Sequence, residues 1–144
     1  MIASHSNARS LFDHPRNISD RVIRQVAEHG GVVGACGFPG FLGPEGTPVT
    51  SDDVLDHVVH IAGLVGERHV SLGLDFADED DEDYDYFGYD PRFYPRPPWT
   101  YPRGIADFAD FPAFAERALQ RGLGEDLVAG LMGENYARVF DRPR

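Results

Sequence analysis

Three short apolar runs, each bounded by glycine or polar residues and alternating with stretches of helical periodicity, predict an α/β fold with parallel strands. The runs begin at Met1, Val32 and His69, and the helical stretches follow Ser19, Thr50 and Asp110. Strands spaced in this way pair in parallel through right-handed crossovers. Three strands alone would leave both edges and one face of the sheet without cover, and a complete (β/α)8 barrel takes roughly 250 residues. The 144-residue chain is therefore expected to be a partial TIM-like barrel, about the last three parallel strands with their helices. It is expected to form one domain over residues 1–144, with a long loop insert at about 77–109.

Each element has its own local reason. Met1-Ile2-Ala3-Ser4 reads as the end of a buried strand, followed by a loop through Asp13-His14-Pro15-Arg16-Asn17. Ser19 sits at an N-cap position ahead of Val22, Ile23, Val26 and Ala27 at helical spacing, and Gly30-Gly31 ends that helix. Val32 to Cys36 is too short for a helix and reads as the second strand, with a glycine- and proline-rich loop from Gly37 to Pro48. Thr50 and Asp53 stand at capping-box spacing. Val54, Leu55, Val58, Ile61, Ala62 and Val65 then trace one helix face. His69 to Phe76 is apolar on successive residues, as expected of a strand covered on both faces. A loop from Ala77 to about Ala109 is acidic at first and then rich in Pro, Tyr and Arg. Asp110 is expected to cap a helix with Pro112 in its first turn, and two helical pieces, Glu125 to Met132 and Glu134 to Phe140, end the chain.

Composition removes several classes of function. A hydrophobic fraction of 42% with 12% aromatic residues suffices for a packed core. All 13 basic residues are arginine, and without lysine there is no lysine-type phosphate loop, no Schiff base and no pyridoxal-phosphate attachment. Cys36, the one cysteine, can make neither an internal disulfide nor a cysteine-based zinc site. Nine of the 24 acidic residues behind the net charge of −11 fall in residues 75–90, which hold no arginine, so the rest of the chain is close to neutral. An acidic patch of this kind repels nucleic acid, which is excluded as a partner. No apolar run approaches the roughly 18 residues of a membrane span, and no signal-like pattern opens the sequence, so a cytoplasmic location is expected.

Chemistry in parallel α/β folds gathers at the C-terminal ends of the strands. The first strand ends in Ser4-His5-Ser6-Asn7, the second near Cys36 and Phe38-Pro39-Gly40, and the third at Asp75. A histidine and an aspartate closing buried strands suit a metal-dependent hydrolase, in which imidazole and carboxylate bind the metal and a carboxylate shuttles protons. Taken singly, each has a structural reading too, as a satisfied histidine or a helix-capping aspartate.

Four segments carry a more specific signal: Ile2-Ala3-Ser4-His5-Ser6-Asn7-Ala8-Arg9, His14-Pro15-Arg16-Asn17, Gly73-Leu74-Asp75-Phe76 and Gly133-Glu134-Asn135-Tyr136-Ala137-Arg138-Val139-Phe140. In order and spacing they resemble the C-terminal half of the membrane (renal-type) dipeptidase family, zinc metallopeptidases with a TIM-like barrel and a two-zinc site. The resemblance implies that His5 is a ligand of one zinc ion and that Arg16 pairs with the carboxylate of a dipeptide substrate, a task suited to its planar fork. It also implies that Asp75 is the general acid/base near the bridging water and holds the substrate's amino end. The family's other ligands come from the first half of the barrel, and none of them is in this sequence. Asp75-Phe76-Ala77-Asp78 stands where many members have Asp-Phe-Asp-Gly, and Cys36-Gly37 where they often have Asn-Phe. The chain is accordingly expected to be a C-terminal fragment of a zinc dipeptidase, inactive alone because one histidine cannot hold a catalytic zinc. The alternatives are one half of a split enzyme that assembles with a chain supplying the missing barrel half, and a non-catalytic interaction module using the acidic and aromatic segment; a homodimer is the other assembly weighed.

The remaining candidates have plainer readings. His57 and His60 could clip a metal, but their helix also carries Asp52, Asp53 and Asp56, so a solvated face is expected. His14 and His29 are given no role, and His69 lies at the end of the sheet where stability is expected. The acidic run could bind calcium, yet it lacks EF-hand spacing and reads as solvated. Phe93, Tyr94, Trp99 and Tyr101 suggest a loop folded over the mouth of the site, or a partner surface. Cys36 reads as buried filler.

Overall fold

The computed structural model describes residues 1–141, so the last three residues of the expected domain lie outside the described residues. One parallel sheet holds β1 (Ile2–Ala3), β2 (Val32–Ala35) and β3 (Val70–Leu72), in that order. α1 (Asp20–Glu28) links the first two strands and α2 (Ser51–Val65) the second pair. Ser19 accepts from the Val22 N–H at the start of α1, and the Thr50 N–H donates to Asp53 Oδ2 at 2.7 Å at the start of α2. The strands are shorter than their apolar runs. His69 belongs to a 3-10 turn, Glu67–His69, where its ring is tied to the Gly31 carbonyl, and β3 ends at Leu72, although the Gly73 N–H still donates to Ala35 O at 2.8 Å.

The register settles which residues share a face. Val33 pairs with Val70 and Ala35 with Leu72, while Gly34 pairs with Ser71 between them. Side chains alternate along a strand, so the four apolar residues lie on one face. They share a core with Ile23 and Val26 of α1 and with Val54, Leu55, Val58 and Ile61 of α2. The opposite face is covered by the chain's own C-terminal segment. Ser71 Oγ donates to the carbonyls of Gly130 and Leu131, and the Tyr136 hydroxyl lies against Gly34 and donates to Ser4 O at 2.9 Å. The face that three strands alone would leave bare is thus packed from within.

The C-terminal segment runs through α5 (Glu125–Ala129), a π-type turn (Gly130–Glu134) and α6 (Asn135–Phe140), with the bend at Gly133, whose φ is +132°. Asn135 Nδ2 donates to Glu67 O and Val70 O, both at 2.8 Å, and Arg138 reaches the carbonyls of Gly30 and Arg68. The Gly133–Phe140 motif therefore anchors the segment to the starts of β2 and β3.

Two local expectations change. The insert at about 77–109 contains a helix, α3 (Asp81–Phe87), where the sequence suggested only loop. Asp80 and Asp83 form a capping box there, two further acids, Asp81 and Glu82, lie in the first turn, and Tyr84 is buried; acids at a helix N-terminus favour the helix dipole. Asp110 precedes α4 (Phe111–Gln120), but its carboxylate accepts from the N–H groups of Ala106 and Asp107 rather than from the helix. It closes the 3-10 turn Phe108–Asp110 instead. No described helix is long and apolar enough to cross a membrane.

Candidate active site

The turn after β1 carries His5 across the end of the sheet. A Cβ on Gly73 would overlap the Ser4 carbonyl and lie 3.1 Å from His5 Cα, so only glycine permits this approach. It sets His5 beside the segment that leads to Asp75. Arg16 Nη2 lies 3.0 Å from His5 Nε2. Arginine can only donate, so Nε2 accepts, and the remaining ring proton on Nδ1 points at Ser4 Oγ, 2.8 Å away. Nε2 of His5 thus faces Arg16 and Nδ1 faces Ser4.

Arg16 is positioned by a tight loop. Its N–H donates to His14 Nδ1 at 3.2 Å, and His14 Nε2 lies 3.2 Å from Phe93 O in the insert. Burial pushes the His14 pKa down, which keeps the ring neutral for these two bonds. Asn17 donates to Phe12 O and Phe41 O, both at 2.9 Å, while Asn7 accepts from the Cys36 N–H and donates to Cys36 O. The two buried asparagines tie the Arg16 loop to the end of β2. The guanidinium sits 5.4 Å from the Phe41 ring centroid and 5.6 Å from that of Tyr94, with Nη1 donating to the Tyr94 hydroxyl.

Asp75 is exposed and takes a left-handed backbone conformation, φ +58°. A non-glycine residue there carries strain of about 1–3 kcal/mol unless its surroundings hold it. Tyr101 does so: its hydroxyl donates to Asp75 O at 2.7 Å and accepts from the Ala77 N–H at 2.8 Å. The Asp75 carboxylate has no hydrogen-bond or ion-pair partner among the described residues. Burial drives the Cys36 thiol up to about 12, Asp75 adds to the rise, and Arg16 opposes it. Cys36 is fully buried, and its raised pKa keeps the thiol protonated.

His5, Arg16 and Asp75 therefore stand at one end of the sheet. His14, Tyr94 and Tyr101, which hold two of them, were not assigned to the site from the sequence: His14 lay in the His14–Asn17 segment without a role, and the two tyrosines in the aromatic run 93–101 read as a cover or partner surface. The other histidines lie elsewhere. His57 is buried at 2% exposure, not solvated as its neighbouring acids suggested, and its Nδ1 accepts from the Ala8 N–H at 3.2 Å. His60 Nε2 meets Asp20 Oδ1 and Ser10 Oγ, each at 3.0 Å. Because one ring nitrogen faces both partners, this trio is not a nucleophile relay. A cavity of about 510 Å³ lies between the loops around Pro44 and Pro98, with Trp99, Tyr101 and Arg103 in its wall but none of His5, Arg16 and Asp75. A second, of about 250 Å³, opens beside Asp75 and is lined by Leu74, Phe76, Phe108, Leu131 and Tyr136.

A metal fits this chain only in part. His5 offers the donor a zinc ion takes, with its far nitrogen anchored as such ligands require. Its lone pair is nevertheless used by Arg16, and the described residues hold no group of three or more His, Cys, Asp or Glu side chains able to bind a metal. The chain's described residues do not form a metal site by themselves.

Residues 1–85 match the family described as membrane dipeptidase, peptidase family M19. An uncharacterized dipeptidase of Schizosaccharomyces pombe is 33% identical over 138 residues, 95% of this chain and 29% of that protein. A dipeptidase of Aspergillus oryzae is 30% identical over 95% of this chain and 28% of its own length. Among solved structures, an amidohydrolase from Pseudomonas aeruginosa superposes with a TM-score of 0.82 at 33% identity, covering 96% of this chain and 44% of that one. A metallopeptidase from Rhodobacter sphaeroides, liganded with a phosphinate mimic of the dipeptide L-Ala-D-Ala, superposes at 0.74 and 30% identity, covering 98% and 35%. The chain thus spans less than a third of the length of these curated relatives.

Proposed function

The chain belongs to the membrane dipeptidase family, peptidase family M19, and from that premise we propose that it supplies the substrate-binding end of a zinc-dependent dipeptidase site. Arg16 binds the carboxylate of a dipeptide. Asp75 holds its amino end and moves a proton from the attacking water to the leaving amine. His5 Nε2 is the one ligand this chain offers to the family's two zinc ions, and the other ligands come from residues it does not carry. Zinc supplies a Lewis acid that lowers the pKa of water. Arg16 Nη2 lies 3.0 Å from His5 Nε2, so the guanidinium and a metal ion would compete for the His5 lone pair.

The observation that supports this reading best is that a guanidinium held by Tyr94 and His5, and an unpaired carboxylate, Asp75, both lie at the same end of the sheet. A dipeptide zwitterion has the opposite charges at the matching ends. The test is an NMR titration of the chain with L-Ala-D-Ala, the dipeptide mimicked in the Rhodobacter relative. Shifts are expected around both residues in the wild type and are lost in Arg16→Gln. Shifts confined to the cavity beside Trp99, or none at all, would overturn the reading. With zinc added, the chain alone is expected to hydrolyse no dipeptide.

A further inference from the structure

Building on the assignment of Arg16 to a substrate carboxylate, we propose that Tyr94 is a second recognition residue for that carboxylate, so that arginine and tyrosine form one two-point anion receptor. The argument starts from proton counting. Arg16 Nη1 donates to the Tyr94 hydroxyl oxygen. Arginine has no acceptor, so the tyrosine oxygen must accept, and its own proton remains available. No described residue receives it. Two of the five guanidinium N–H groups are engaged, one on Tyr94 and one on His5, which leaves three guanidinium N–H groups and the adjoining Tyr94 O–H proton without a partner among the described residues. A carboxylate is an acceptor on both oxygens and fits that arrangement, with one oxygen on Arg16 and the other on the Tyr94 O–H.

Tyr94 is held for this task. Its N–H donates to Asp90 O at 3.0 Å, and its carbonyl accepts from the Tyr84 hydroxyl at 2.7 Å. Its ring packs 5.0 Å from Tyr89 and 5.7 Å from Phe41, centroid to centroid. Tyr84 is itself buried in α3 beneath Arg96, which pairs with Asp81 and Asp85. The acidic helix and the aromatic run of the insert thus form a single brace behind the tyrosine. Donors fixed before the ligand arrives contribute more than donors ordered on binding. The insert acts here as part of the recognition surface, not only as a cover.

The experiment compares L-Ala-D-Ala with its C-terminal amide, by NMR titration of the wild-type chain and of Tyr94→Phe, which keeps the ring and removes the hydroxyl. The wild type is expected to prefer the acid. The variant is expected to bind the acid about tenfold more weakly, the scale of one hydrogen bond to a charged acceptor, and the amide unchanged. The same spectra report whether the variant keeps the native fold, and Tyr89→Phe, which leaves Tyr94's hydroxyl in place, should retain the acid preference. A wild type that does not distinguish acid from amide overturns the assignment of Arg16, and this proposal with it. A wild type that does distinguish them, alongside a Tyr94→Phe variant with the same preference, overturns the role of Tyr94 alone. Equal weakening toward both ligands makes Tyr94 a structural support and also overturns the proposal.

Discussion

Acidification should weaken the fold through one buried histidine. His57 lies on α2 at 2% exposure, and its Nδ1 accepts the Ala8 N–H. Burial, helped by the nearby His60, holds its pKa at about 4 against an ordinary 6.5, while Asp56 and Asp53 oppose the shift. A lowered histidine pKa means that the unfolded chain takes up a proton between pH 6.5 and 4 that the folded chain refuses. The associated stability is complete above pH 6.5 and is lost as pH falls toward 4. Between pH 7 and pH 5 the loss amounts to about 2 kcal/mol. Urea unfolding followed by circular dichroism at both values measures it, with His57→Asn as the reference. An asparagine oxygen can accept from Ala8 in place of Nδ1 and does not titrate. The wild type should lose about 2 kcal/mol more than the variant over this interval. Equal losses would mean that His57 is charged in the folded chain or hydrated there, and the reasoning would fall. Protonation also places two donors face to face at Ala8, three residues beyond His5, so the turn carrying that imidazole should loosen over the same interval.

Two further outcomes follow from the packing around the same turn. Gly73→Ala should cost about 3 kcal/mol, because the added methyl meets the Ser4 backbone and has no flexible neighbour to displace; unchanged urea midpoints would show that the chain does not cross the sheet there. Cys36, buried and pushed up to about 12, should resist iodoacetamide at pH 8 in the folded chain and react only after denaturant is added. Mass spectrometry of the native sample would detect modification and contradict the stated burial.

The fold was legible wherever local chemistry and tertiary packing agree. The Ser19 cap, the Thr50–Asp53 pair and the paired glycines after α1 mark helix ends whose partners lie within a few residues. Val32 to Cys36 can bury every side chain only as a central strand, and β2 is the middle strand of the sheet. Reading failed where an acidic run was taken as loop, although most of its acids are exposed as expected. The residues from Asp80 to Asp83 cap and begin a helix because one tyrosine four residues into the segment finds a buried seat. His57 was misread for a related reason. Acidic neighbours on α2 suggested a wet face, but the ring points at the loop after β1, forty-nine positions earlier in the chain.

The site was legible as a set of strand ends, but not as an assembled arrangement. His5 and Asp75 each close a strand, which is a local property, whereas the groups that hold Arg16 and Asp75 come from far along the chain. Tyr94 is 78 positions from Arg16, and Tyr101 is 26 from Asp75. Both tyrosines stand in the insert and both act through a hydroxyl, one on a side chain and one on a strained backbone. That division separates two effects that a deletion of the insert would blur. Loss of the Tyr94 hydroxyl frees a guanidinium that remains folded in place between aromatic rings, so it should alter affinity for an anion while leaving stability nearly constant. Loss of the Tyr101 hydroxyl strands the Asp75 carbonyl and the Ala77 N–H together. Tyr101→Phe should therefore cost about 1–3 kcal/mol of stability and release Asp75 from its left-handed conformation. A Tyr101→Phe chain with wild-type urea midpoints and an unshifted Asp75 amide resonance would show that water replaces the hydroxyl at no cost, and that the strain at Asp75 is held by the strand alone.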